Sequence, residues 1–344
     1  MFIYFFLLLL PLALALAHPK KSQKNYPGFW LYFPLLLIFC GFRYNVGADW
    51  GGYQYIYDTY YFADIRDVLA YPEPGFFLLN KLSEMAGLGL SGVLLISSFV
   101  FLFGCFTYAR TTANPWLAIA AIIPYLVFII SMSGVRQAIA IGLGFYLFAD
   151  WTKSSLLKKF LIIALAISFH NSSAILFLFF VVTLPGGKYL KLALASACLV
   201  FVSIGLKKVD SFDKYSNVYV SANLVSQGAF VHVLLVAFPA LLYILYRKKI
   251  AAVHETNSNL FLASILTLGL LPFLIVSSTG VDRLTLYFSF LQMSVYPALI
   301  KAGVADRLLL KGVFTILILG IFFVYFLFGT HASLYVPYQN ILFN

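Results

Sequence analysis

What most constrains this chain is a rhythm of long apolar runs. They fall at 2–17, 28–42, 91–108, 115–132, 134–150, 192–206, 229–246, 258–279, 284–300 and 312–329, each bounded by charges, Pro or Gly. A helix needs roughly 20 apolar residues to cross a bilayer. Lipid is the solvent in which so much apolar surface needs no burial in a core. Charged residues make up only 10% of the chain, against about 25% in soluble domains, so a soluble globular fold is excluded. The expectation is an all-α polytopic membrane protein, one membrane-embedded unit over 1–344, with about 12 transmembrane helices including one short broken pair.

The broken pair is 156–184, apolar except around His170-Asn171-Ser172-Ser173. As one helix it makes a single crossing; as two short helices it turns back at His170. Lys and Arg mark cytoplasmic loops, and they decide between the two. With a turn-back, fifteen of the 23 basic residues fall inside with only three of the 12 acidic ones, and the outside is slightly negative. With a single crossing, everything after 184 changes sides and the 23 basic residues split 11 to 12. The turn-back is expected, with both termini outside. Each half is too short to span at 1.5 Å per residue. The break at His170 therefore lies below the outer surface, where protein or water must cover non-helical backbone.

Three easy readings fail. The net charge of +11 does not point to nucleic acid, because the basic residues sit in short clusters between spans. Met1–Ala17 has no basic residues before its apolar run; Lys20, Lys21 and Lys24 follow it, as for a first span and not a secretory signal. Cys40, Cys105 and Cys198 all fall inside apolar runs, so they form neither a disulfide framework nor a zinc site.

Two segments are expected outside. The larger, 43–90, holds seven tyrosines between 44 and 72, with Trp50 and Phe62. Such rings can stack on sugars or can form the aromatic belt common at membrane interfaces. Next comes Glu73-Pro74-Gly75-Phe76, where Pro74 suits a first helical position and Gly87 a stop. Phe76, Leu79, Leu82 and Met85 give that helix an apolar face, so it is read as an outer amphipathic helix. The smaller segment, 207–228, carries Lys207, Lys208, Asp210, Asp213 and Lys214 and reads as a solvated loop.

Charges at helix ends are more specific. Arg43 closes the second span, Arg136 follows Ser133-Gly134, Arg283 follows Asp282, and His170 sits in the break. One Arg near a helix end can snorkel to the headgroups. Three arginines with a histidine favour a site, because ionisable groups at membrane depth are costly. Guanidinium forks suit a multiply charged anion such as a pyrophosphate, and a neutral imidazole can take a proton from a hydroxyl. No Walker A loop, His-Glu-x-x-His helix or metal-ligand cluster occurs, so neither metal nor cofactor is expected. Gly142-Leu143-Gly144 reads as close helix packing.

Taken in order, several pieces resemble the EpsG-like group of Wzy-type polysaccharide polymerases. They are Phe42-Arg43-Tyr44-Asn45-Val46-Gly47-Ala48-Asp49 with the tyrosines after it, Glu73-Pro74-Gly75-Phe76, and Ser133-Gly134-Val135-Arg136-Gln137-Ala138-Ile139-Ala140. Further on come Phe169-His170-Asn171-Ser172-Ser173-Ala174, Asp282-Arg283-Leu284 to Tyr287, and Pro337-Tyr338-Gln339-Asn340-Ile341-Leu342. One departure is Ala48-Asp49-Trp50 where Thr-Asp-Tyr is expected; the acid is kept. The resemblance implies a GT-C-like fold and joining of undecaprenyl-pyrophosphate-linked repeat units, donor and acceptor, at the outer face of the bacterial inner membrane. It implies no nucleic-acid partner and leaves room for a chain-length regulator. His170, Arg136, Arg283 and Asp49 are then the expected catalytic residues. Arg43, Tyr44, Trp50, Tyr53, Lys81, Gln137, Asn171 and Tyr287 are expected to bind substrate. The rival readings are an O-antigen ligase, with the same donor and another acceptor, and a flippase or transporter of the lipid-linked oligosaccharide.

Overall fold

The structure is a computed structural model, and it describes residues 1–17, 26, 28–197, 228–253 and 258–343. Among these residues the chain is helical, with one antiparallel bridge between Arg43 and Asn340. Five helices are long and apolar enough to cross a membrane: Gly89–Ala109, Pro115–Ser133, Ala229–Ala251, Ser258–Ile275 and Arg307–Phe328. Phe2–Ala17, Phe29–Gly41, Val135–Ala149 and Asn171–Thr183 are apolar but shorter. The expected run 192–206 is described only to residue 197. Cys198 and the loop 207–228, apart from Gly228, lie outside the described residues.

The break at His170 is there. Helix Leu156–Phe169 ends, His170 is extended (φ −158°, ψ 117°), and a tight turn over Asn171–Leu176 leads into Phe177–Thr183. The ring of Phe160 lies 6.2 Å from that of Phe180. A straight helix would hold residues 20 apart at about 30 Å, so the chain doubles back at His170.

Prolines explain two local departures from α geometry. Pro124 has no N–H to return to the preceding turn, and the helix widens into π geometry over Ile123–Ile130. Pro272 does the same in Leu271–Ile275, where the helix tightens instead. The expected span 284–300 is not continuous. It is a short helix Ser278–Thr285, a tight turn Leu286–Phe288, and Phe290–Lys301. The Ser277 hydroxyl accepts the Gly280 N–H at 3.2 Å and so caps a new helix start. Asp282 and Arg283 therefore stand on a short helix, not in the turn expected for them.

Gly89–Ala109 and Val135–Ala149 pack backbone to backbone. A Cβ on Gly104 would sit 1.9 Å from the Gly142 carbonyl oxygen, and one on Gly142 would sit 2.5 Å from the Phe101 Cα. Close packing at Gly142 is as expected; its partner, Gly104, is seen only in the fold.

The bundle has two distinct ends. At one, the Tyr4 hydroxyl donates to the Tyr335 carbonyl (2.7 Å), so the first helix and the chain after the last one meet. At the other, Asn114 donates to Ala15 O (3.2 Å) and Lys311 to Leu16 O (2.5 Å). Cys40 and Cys105 are buried free thiols.

Candidate active site

Three helix ends converge on one carboxylate. Glu73 precedes Pro74, which restricts it to non-helical backbone, and it adopts φ −129°, ψ 75° at the head of Pro74–Met85. Its carbonyl accepts the Phe76 and Phe77 N–H groups (both 3.1 Å). Gly75 lets this helix start press onto the neighbouring one, since a Cβ there would sit 2.4 Å from Ser168 Oγ. Asn171 donates to Pro72 O at 3.4 Å and ties the loop to the break. Arg136 enters in the first turn of Val135–Ala149, after Gly134. His170 enters from the break, its N–H still closing the helix onto Ala166 O (3.0 Å).

The three side chains join. Glu73 Oε2 accepts from Arg136 Nη1 at 2.7 Å, and Glu73 Oε1 lies 2.6 Å from His170 Nδ1. Side-chain exposure is 4% for Glu73, 7% for His170 and 18% for Arg136, so the cluster is nearly closed. Burial pushes the Glu73 carboxyl up; Arg136 and then His170 outweigh it and hold it at about 2. Glu73 is thus an anion at any physiological pH. A buried charge of this kind persists only when paired. A cation in the first turn of a helix is disfavoured by the helix dipole, and the carboxylate offsets that at Arg136.

Other expected residues gather around this core. Tyr53 lies close enough to Arg136 for the two to interact electrostatically, and its ring packs edge to face on Phe76 at 5.9 Å. Gln137 donates to the Arg283 carbonyl at 2.6 Å and also hydrogen-bonds to Tyr287. Tyr287 in turn meets Ser172 Oγ at 3.0 Å. So His170, Arg136, Gln137, Asn171, Tyr53, Tyr287 and Arg283 belong to one connected region. A second carboxylate–imidazole pair adjoins Arg283: His232 Nδ1 lies 3.3 Å from Asp282 Oδ2, and Tyr125 stacks on His232 at 4.3 Å. Among the described residues, no three His, Cys, Asp or Glu side chains come together so as to hold a metal ion.

Four other expected features have the following settings in the structure. Arg43 is turned into the protein. It is 1% exposed, and its guanidinium donates to the carbonyls of Cys40 (2.6 Å), Met132 (2.8 Å) and Val46 (3.2 Å). It is a clasp between the end of one helix and the turn that leads to Arg136. Lys81 is paired with Glu84 and donates to Tyr61 O at 3.0 Å, which leaves it holding its own helix in place. Tyr44 and Trp50 pack on each other at 5.7 Å, and no side-chain hydrogen bond among the described residues ties either to the cluster. On the outer helix Phe76 and Leu79 are buried, but Leu82 and Met85 are exposed, because Asn80, Lys81 and Ser83 take the inner face instead. Asp49 stays near the site's edge: exposed, and close enough for its charge to act on Tyr53 and Tyr335.

Glu73 is the residue that sequence reasoning missed. Its signal was an acid directly before a helix-starting proline in an apolar neighbourhood, but its partners are 63 and 97 positions away.

A last feature locks the turn before Arg136. Ser133 Oγ accepts the Ala48 N–H (2.9 Å) and is hydrogen-bonded to the Tyr335 hydroxyl. Tyr44 N–H donates to Gln339 O (3.0 Å), Ile341 N–H to Phe42 O (2.9 Å) and Gly47 N–H to Leu334 O (2.9 Å). Segments 42–48, 132–134 and 334–341 form one hydrogen-bonded knot.

Fold and site together define an all-helical membrane protein with a charge-paired polar cluster set among its helices. The chain belongs to the EpsG family, the EpsG-like polysaccharide polymerases, whose family model matches residues 28–340. No curated protein and no solved structure matches it.

Proposed function

We propose that this chain polymerises undecaprenyl-pyrophosphate-linked oligosaccharide repeat units at the outer face of the bacterial inner membrane, within a GT-C-like bundle of about twelve spans whose termini both lie outside. The acceptor hydroxyl attacks the anomeric carbon of the donor with inversion, and undecaprenyl pyrophosphate leaves. His170 is the general base on that hydroxyl. Arg136 and Arg283 stabilise charge on the leaving pyrophosphate, as donors aimed at developing charge do. Asp49 is the second-choice base. Tyr53, Gln137, Asn171 and Tyr287 line the approach, and no metal takes part.

One observation carries the reading: a buried carboxylate draws Arg136 and His170 into a single cluster at the point where the helix is broken. An ionisable trio at that depth is costly unless it has work to do.

The test is lengthening of a lipid-linked repeat by purified protein without lipid A, in chelator. Arg136→Ala and His170→Ala are expected to insert normally and to lose long-chain polymer, with rates lower by about 10²–10³. Full-length polymer from both variants would sink the assignment. Loss of wild-type activity in chelator would overturn metal independence. Transfer only to lipid A would favour the ligase.

A further inference from the structure

We infer that Glu73 is a positioning residue: it fixes His170 as the tautomer protonated on Nδ1 and so assigns Nε2 as the atom that takes the acceptor's proton. The inference rests on the reading of His170 as the base and adds which nitrogen acts and what holds it.

The argument is one of donors and acceptors. A neutral imidazole has one N–H and one lone pair. Glu73 Oε1 lies 2.6 Å from His170 Nδ1, and a carboxylate can only accept, so the ring hydrogen must be on Nδ1. The lone pair is then on Nε2. Among the described residues, Nε2 is buried and has no hydrogen-bond partner. A buried polar atom left without a partner is costly, and an acceptor reserved for a substrate hydroxyl accounts for it. The other carboxylate oxygen is bound to Arg136 at 2.7 Å, which prevents Glu73 from rotating away from the ring. One anion thus orients the base and anchors the cation beside it.

In the reaction, Nε2 takes the acceptor hydroxyl proton as that oxygen bonds to the anomeric carbon. The bond from the anomeric carbon to the phosphate oxygen breaks, and its electron pair leaves with the pyrophosphate. The imidazolium left behind is balanced by the Glu73 carboxylate at Nδ1.

The experiment is nitrogen NMR of ¹⁵N-histidine-labelled protein, full length and in detergent or lipid, above the pH at which histidine protonates. The chain has five histidines, and a His170→Asn sample identifies the one of interest. The wild type is expected to show His170 with its proton on Nδ1. Glu73→Gln can offer either a donor or an acceptor to the ring, so both tautomers are expected, and kcat is expected to fall about 10²-fold or more with KM for the lipid-linked repeat held within about twofold. Glu73→Asp should restore the single tautomer in part. A merely structural carboxylate would not move the tautomer signal. A wild-type His170 protonated on Nε2 overturns the inference, as does a Glu73→Gln protein with one Nδ1–H signal and near-normal kcat. If Glu73→Gln does not fold, the wild-type spectrum alone decides. The spectrum needs no turnover, so a protein without polymerase activity would sink the function proposed above and leave the tautomer assignment standing.

Discussion

Arg43 Nη2 and the Met132 carbonyl oxygen lie 2.8 Å apart across 89 positions of sequence. With Cys40 O and Val46 O on the same guanidinium, Arg43 serves three buried carbonyls, each costing about 1–3 kcal/mol if left without a partner. Arg43→Met is therefore expected to lower the apparent Tm of purified protein by about 5 °C or more, with Arg43→Lys intermediate. A stable Arg43→Met protein that has lost only donor binding would return Arg43 to the substrate site.

The Glu73–Arg136 pair is nearly closed to solvent, and removing one partner of a buried ion pair costs about 3–5 kcal/mol. Glu73→Leu and Arg136→Met should each destabilise on that scale. Together they should cost at least about 1 kcal/mol less than their sum, as interacting neighbours do. A double-mutant cycle on thermal unfolding in one detergent reads this; strict additivity would mean that the pair does not interact.

The same carboxylate sets a pH dependence with a definite sign. Glu73 drops from 4.5 to about 2, because Arg136 and His170 outweigh the burial that raises it. A depressed acid stabilises the fold above its unfolded value and loses that contribution as pH falls through its folded value. Stability from Glu73 is thus complete above about pH 4.5 and lost between there and pH 2. Wild-type Tm should fall more steeply than that of Glu73→Gln in this window, and parallel curves would contradict the assignment.

Gly104 has no room for a side chain: its Cβ would stand 1.9 Å from the Gly142 carbonyl, backbone that cannot swing aside. Gly104→Val should force the two helices apart at a cost of about 1–3 kcal/mol or more. Because one of those helices carries Arg136 in its first turn, polymer yield per folded molecule should fall as well. Gly269, with open space around it, is the control: Gly269→Ala should change neither readout.

A stop before Tyr335 removes the partners of Ser133, Tyr44 and Tyr4 together. The helices should still insert, but polymer should be lost and the 42–48 segment should become open to protease. Wild-type activity from the shortened chain would show that the knot is dispensable.

The helical bundle and the break were readable in advance for a physical reason. Apolar run length and basic clusters are local properties, and His170-Asn171-Ser172-Ser173 interrupts its run in plain view. The membership of the cluster was half readable: Arg136 and His170 announce themselves as charges in apolar surroundings. Glu73 did not, because what makes a carboxylate functional here is the company it keeps from two other helices. The carbonyl contacts of Arg43 were not readable, because an arginine that serves buried carbonyls and one that waits for a phosphate look alike in a string of letters. Leu82 and Met85 misled: the helix was judged by its apolar face, while Lys81, satisfied by Glu84 and Tyr61 O, is the residue turned inward.

The knot between Tyr335 and Ser133 also bears on time. A chain is made from its N-terminus, so Tyr4 and the turn at Ser133 enter the membrane long before Tyr335–Asn340 leave the ribosome. Until then the Ser133 hydroxyl holds the Ala48 N–H but not Tyr335, and the Tyr44 N–H and the Tyr4 hydroxyl wait for the carbonyls of Gln339 and Tyr335. A molecule with all its helices threaded but residues 334–341 not yet docked still lacks these hydrogen bonds. The turn that aims Arg136 is held early by Arg43 and Ala48 and receives its last tie from Tyr335, which delays a fully fastened site until synthesis has passed that residue.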